Sequence, residues 1–97
     1  PRIVYRYQFV DTVDMEQVQT LFDLAMQAAI SLYGESRVRL DARFSVGHDV
    51  RRFLLDANTD IGRALAFMFT GFLRDYLGDE VFTVQRASRP NDQEVVS

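Results

Sequence analysis

The chain contains no cysteine, no lysine and a single histidine, His48, so all eleven of its basic residues are arginines. Without cysteine there are no disulfides, thiolate metal sites or thiol nucleophiles. Without lysine there is no Schiff-base amine and no phosphate-loop lysine. One histidine cannot build a multi-histidine metal centre, and the expectation is a protein with no metal and no cofactor. No window approaches the roughly 18 unbroken apolar residues of a membrane span. No basic leader precedes a short apolar core, so no secretory signal is expected. With cysteine absent as well, the composition points to a soluble cytoplasmic protein. The net charge of −3 speaks against a dedicated nucleic-acid binder, which is more often strongly basic.

What is present is a near-repetition. Leu32-Tyr33-Gly34-Glu35 is answered 44 positions later by Tyr76-Leu77-Gly78-Asp79. The same offset carries Leu21 to Leu65, Ala25 to Phe69, Ala29 to Leu73, Val38 to Phe82 and Leu40 to Val84. In 97 residues, 47% of them apolar, this pattern predicts one domain built from two strand-helix-strand units.

Residues 2–10 place Ile3, Tyr5, Tyr7 and Phe9 on one side and Arg2, Val4, Arg6 and Gln8 on the other, which is strand periodicity. Asp14 with Gln17 resembles a capping box, opening a helix whose Val18, Leu21, Phe22, Ala25, Ala29, Leu32 and Tyr33 recur at helical spacing. Gly34 ends it. From Arg37 to Val46 alternation returns and predicts the clearest strand of the chain, followed by a Gly47-His48-Asp49 turn and a strand over Val50–Leu55. The segment Asp56–Asp60 offers caps for a second helix, which carries Ile61, Leu65, Met68, Phe69, Phe72 and Tyr76 and stops at Gly78. A last strand is expected over Glu80–Arg86, and residues 87–97 have the composition of a flexible, solvated tail.

The order β-α-β-β-α-β with a tight central hairpin predicts a ferredoxin-like split βαβ α+β domain over 1–86. Two helices should pack on one face of a four-stranded antiparallel sheet. The other face is then open. By alternation it should collect Arg2, Arg6, Arg37, Arg39, Arg43 and Arg52, with Val4, Leu54 and Thr83 among them, while the helices carry Asp14, Glu16, Asp23, Asp60 and Asp75. Such a face could hold an anion, single-stranded nucleic acid or an acidic protein through guanidinium contacts. The reading preferred over nucleic acid is an ordinary solvated face, in which Asp41 and Asp56 pair with arginines across strands, or one buried in a dimer. The strand order also resembles that of RNA-recognition domains, but Arg51-Arg52-Phe53-Leu54-Leu55-Asp56 lacks their glycine-aromatic pattern.

Phe67 falls near Arg63, Thr70, Gly71 and Arg74, away from the core residues of its helix. A phenylalanine beside a helix glycine marks a candidate partner surface. Ser45, His48 and Asp49 offer the residue types of a nucleophilic triad. They are neighbours around one turn, however, whereas a triad converges from separate elements, so no catalytic residue is assigned. Pro1 and the repeated βαβ plan resemble the tautomerase superfamily. There the resemblance implies an amino-terminal proline acting as base and an arginine at the position of Arg39 holding a carboxylate. Asp11 departs from that pattern, as does the tight hairpin.

The function expected from the sequence is a small non-enzymatic interaction module that self-associates through its open sheet face, where Val4 and Leu54 lie, through an edge strand, or through the surface of Phe67 and Gly71. Anion or nucleic-acid binding by Arg6, Arg37, Arg39, Arg43 and Arg52 is the second reading, and a Pro1-dependent tautomerase the third.

Overall fold

The structure, a computed structural model, describes residues 2–87. Strand β1 (Val4–Phe9) leads into helix α1 (Met15–Tyr33), a short helix α2 (Glu35–Asp41), the hairpin β2 (Phe44–Gly47) and β3 (Arg52–Asp56), helix α3 (Asp60–Tyr76), a 3-10 turn (Asp79–Val81) and β4 (Phe82–Ala87). The strands form one antiparallel sheet in the order β2-β3-β1-β4. Over the described residues the chain is therefore α+β, with a four-stranded antiparallel sheet and three helices.

Alternation decides which side of each strand enters the core. Tyr7, Phe9, Phe53, Leu55 and Phe82 are buried beneath α1 and α3, together with Val18, Leu21, Phe22, Ala25, Leu65, Phe69 and Leu73. Phe22 is the hub, with ring centroids 4.6 Å from Phe44, 4.6 Å from Phe53 and 5.2 Å from Phe69. Rings at these separations add edge and tilted contacts to the 1.5–3 kcal/mol or so that each gains by leaving water.

Local chemistry sets the helix ends. The Asp14 carboxylate caps α1 by accepting from the Glu16 amide at 2.9 Å, one residue earlier than the expected Gln17. Thr59 caps α3 by accepting from the Gly62 amide at 2.9 Å. Gly34 (φ 91°, ψ 149°) and Gly78 (φ 95°, ψ 153°) follow α1 and α3 in nearly the same left-handed conformation, which side chains rarely adopt. The glycine-centred repeat is thus a repeat of backbone geometry.

The strand expected over Arg37–Val46 is corrected. Residues 35–41 are helical, and β2 begins only at Phe44. Arginine, leucine and glutamate are strong helix formers, and Arg39 pairs with Glu35 one turn earlier at 2.7 Å. Of the alternating apolar set only Val38 is fully buried, while Leu40 is 72% exposed. A one-sided apolar series this short serves a helix that anchors one residue as well as it serves a strand. The turn that follows spans His48–Arg51, and Arg51 closes it at φ 56°. Its guanidinium donates to the carbonyls of Val10 (2.9 Å) and Val13, tying the hairpin to the loop that enters α1. The flexible tail expected over 87–97 lies outside the described residues, apart from Ala87, which ends β4.

Candidate interaction surface

The open side of the sheet is a grid of cross-strand neighbours. Ser45, Leu54, Arg6 and Gln85 form one row, and Gly47, Arg52, Gln8 and Thr83 the next. Arg6 donates to Gln85 Oε1, and Arg52 Nε donates to Gln8 Oε1 at 3.2 Å. Gln8 Nε2 in turn donates to the Val50 carbonyl at 2.8 Å. Arg2 pairs with Asp56 at 2.5 Å. Arg43 precedes β2, its carbonyl accepting from the Asp56 amide at 2.9 Å.

Arg37 and Arg39 are not on this face. Both belong to α2, Arg37 standing 5.7 Å from the Tyr33 ring centroid and Arg39 paired with Glu35. The expected six-arginine surface reduces to Arg2, Arg6, Arg43 and Arg52, three of them engaged by neighbouring oxygens. Basic residues also occur on the helices, where Arg63 pairs with Asp60 at 2.5 Å and Arg74 with Asp79 at 2.9 Å, so the charges are not divided between helices and sheet as expected. The aromatic side chains of the two central strands, Tyr5, Tyr7, Phe9 and Phe53, all fall on the helix-covered side. No ring from either central strand stands on the open face for a base to stack on.

Val4 and Leu54 sit half-buried on the open face, opposite Asp56 and Arg6 respectively. Phe67 and Gly71 lie on the far side of the molecule, so the four expected interface residues divide between two surfaces. The Phe67 side carries a groove of about 410 Å³ between α3 and β4, lined by Tyr5, Tyr7, Phe67, Thr70, Gly71 and Val84 among others. Phe67 is 76% exposed and Val84 37% exposed. The cause is the sheet order: β4 lies outermost, and its helix-side residues run past the cover that α3 provides. Gly71 keeps the groove open, since a Cβ placed there would meet nothing within 4 Å.

A hydrogen bond and a ring contact tie the floor of the groove together. The Tyr7 and Thr70 hydroxyls are hydrogen-bonded at 2.8 Å, and Tyr7 packs on Phe69 with ring centroids 4.9 Å apart. Burial pushes the Tyr7 hydroxyl up to about 12, against the opposing pull of its bond to Thr70.

Sequence reasoning found Phe67 and Gly71 but missed Val84, Tyr5 and Tyr7 as their companions. The available signal was Arg86, a charge on the same side of β4 as Phe82 and Val84, where a strand with full helix cover would carry an apolar residue.

Ser45 lies on the open face in β2, while His48 and Asp49 are exposed in the turn. The shallow pocket containing Ser45 is lined by Val46, Gly47, Val50, Arg52 and Leu54, so the three residues do not converge. Pro1 lies outside the described residues, and Arg39 stands on α2 rather than in a strand. Among the described residues no three of His, Cys, Asp and Glu cluster to hold a metal ion, and no helix is long and apolar enough to cross a membrane. No protein-family model, curated protein or solved structure matches the chain.

Proposed function

We propose that this chain is a small non-enzymatic interaction module that binds a second copy of itself through the α3–β4 flank. The observation that carries the reading is Phe67, a large ring 76% exposed at the rim of an apolar groove, beside a strand that bonds only to β1 among the described residues. A ring of this kind removes about 150–250 Å² from water when covered. In a two-fold contact each residue is used twice, so Phe67, Val84 and Tyr5 of both copies are covered together. The scaffold is read as a ferredoxin-like split βαβ unit with α2 inserted before the hairpin, supported by the strand order and by both long helices packing on one face. A cytoplasmic location is part of the same reading and rests on composition alone.

Size-exclusion chromatography of Phe67→Arg tests the reading. The variant should elute later than the wild type while keeping its circular dichroism spectrum and melting temperature. An unchanged elution volume would remove this surface from consideration. The competing reading, anion or single-stranded nucleic-acid binding, draws its support from Arg6, Arg43 and Arg52. It requires salt-sensitive retention of a labelled oligonucleotide that is lost when these three are replaced.

A further inference from the structure

The hydrogen-bond phase of β4 specifies how a second copy would meet it. In an antiparallel ladder, residues that exchange bonds with the neighbouring strand alternate with residues whose amide and carbonyl point the other way. The Phe9 amide donates to Arg51 O, and the Ala57 amide to Ile3 O, so the odd-numbered residues of β1 are directed at β3. The even-numbered residues are then directed at β4, as the Val10 amide donating to Val81 O at 3.0 Å confirms at the end of that ladder. It follows from the β1–β4 register that Thr83, Gln85 and Ala87 bond to β1. The backbone groups of Phe82, Val84 and Arg86 point outward along the sheet edge.

We infer that two copies join β4 to β4, antiparallel, about a two-fold axis at Val84, giving one continuous sheet with all the helices on one side. This pairing rests on the homotypic reading above and gives it a register. With the axis at Val84, Val84 pairs with its symmetry mate and Phe82 pairs with Arg86 of the second copy. Every outward-pointing amide and carbonyl of β4 then finds a strand partner. Moving the axis to Thr83 carries Arg86 past the end of the second copy's β4, onto Glu80 in the 3-10 turn. Moving it to Gln85 places Phe82 opposite residue 88, outside the described residues.

Side chains select the same register. Val84 meets Val84 on the groove side, and each groove opens onto the seam, where strands lie about 4.8 Å apart. Phe67 of both copies closes over it, with the space at Gly71 left for the incoming ring. The two Arg86 residues are kept apart at opposite ends of the seam, each facing Phe82 and lying diagonal to Glu80 of the other copy. Glu80 has no ion pair among the described residues, whereas its neighbour Asp79 is taken by Arg74. Arg86 thus acts against registers that would bring like charges together.

Because the chain has no cysteine, each of Thr83→Cys, Val84→Cys and Gln85→Cys carries one thiol and reports directly on the axis. Under oxidised glutathione, Val84→Cys should form a disulfide-linked dimer on a non-reducing gel, since a hydrogen-bonded pair places its Cα atoms about 5.5 Å apart, within disulfide reach. Thr83→Cys and Gln85→Cys should stay uncrosslinked alone and crosslink when mixed, because Thr83 of one copy faces Gln85 of the other. Adding Phe67→Arg to Val84→Cys should abolish the crosslink. Circular dichroism establishes that each variant is folded. A Thr83→Cys or Gln85→Cys dimer forming in preference to the Val84→Cys dimer overturns the register while leaving self-association intact. A wild type that sediments as a dimer while no variant crosslinks, alone or mixed, overturns the edge pairing. A monomeric wild type overturns the homotypic reading itself.

Discussion

The Tyr7 hydroxyl is hydrogen-bonded to the Thr70 hydroxyl at 2.8 Å, which fastens the middle of β1 to the groove-facing side of α3. Burial raises the folded-state pKa of Tyr7 from 10.0 to about 12, so the neutral form is the one that folding favours. Its contribution is fully present below the unfolded value and is lost as pH rises through the folded one. Urea denaturation should therefore show a loss of roughly 2–3 kcal/mol attributable to Tyr7 between about pH 10 and 12. Tyr7→Phe should lose about 1 kcal/mol near neutrality, for the missing hydrogen bond. It should also show a shallower alkaline decline than the wild type. Equal declines in the two proteins would show that Tyr7 is not the group responsible.

Two glycines of α3 predict opposite outcomes from the same substitution. A Cβ at Gly62 would lie 2.3 Å from the Asp56 carbonyl oxygen, a backbone atom that cannot swing aside. Gly62→Ala should be destabilising by about 1–3 kcal/mol as α3 is pushed from the end of β3. A Cβ at Gly71 meets nothing, so Gly71→Ala should stabilise the isolated fold by about 0.5–1 kcal/mol through helix propensity. The same methyl group enters the groove, and the variant should associate more weakly than the wild type. Melting curves and elution volumes read the two effects separately.

Asp56 organises the start of the sheet. Partial burial alone would raise its pKa, but the Asn58 amide at 2.9 Å, Arg2 at 2.5 Å and the Asn58 side chain at 2.8 Å together hold it below the ordinary carboxylate value. Asn58 also accepts from the Ile3 amide at 2.9 Å. For a depressed carboxylate, the stabilisation is present above the unfolded pKa and lost as pH falls through the folded one. Asp56→Asn should thus flatten the acid limb of the stability profile below about pH 4. Asn58→Ala should cost about 0.5–1.5 kcal/mol at neutral pH, because it removes the exposed side-chain hydrogen bonds to the Ile3 amide and the Asp56 carboxylate, while Arg2 and the residue-58 backbone amide still serve Asp56. Both are read by thermal melts across pH.

Much of the scaffold was legible because its signals are local. Asp14, Gly34 and Gly78 act on their own turns, and the apolar series of α1 and α3 is long enough to separate a period of 3.6 from a period of two. The segment after Gly34 was not legible in this way, although its counterpart after Gly78 was. Val38 and Phe82 correspond in the repeat and are both buried, yet one belongs to a helix and the other to a strand. The four residues Arg37-Val38-Arg39-Leu40 satisfy either period, and helix is favoured by the propensities of Glu, Arg and Leu, the Glu35–Arg39 pair and the burial of Val38. That one element moved Arg37 and Arg39 off the sheet. Phe67 was visible as an aromatic on the wrong side of its helix. Its groove was not, because the groove depends on β4 lying outermost, for which Arg86 is the one local sign.

Sedimentation equilibrium of the wild type and Phe67→Arg over a range of concentrations tests self-association through the α3–β4 flank most directly. The wild type should move toward twice its chain mass of 11.2 kDa as concentration rises, and Phe67→Arg, equally folded, should stay at 11.2 kDa. A wild type that remains at 11.2 kDa throughout, or a Phe67→Arg variant that dimerises as the wild type does, would contradict self-association through this flank.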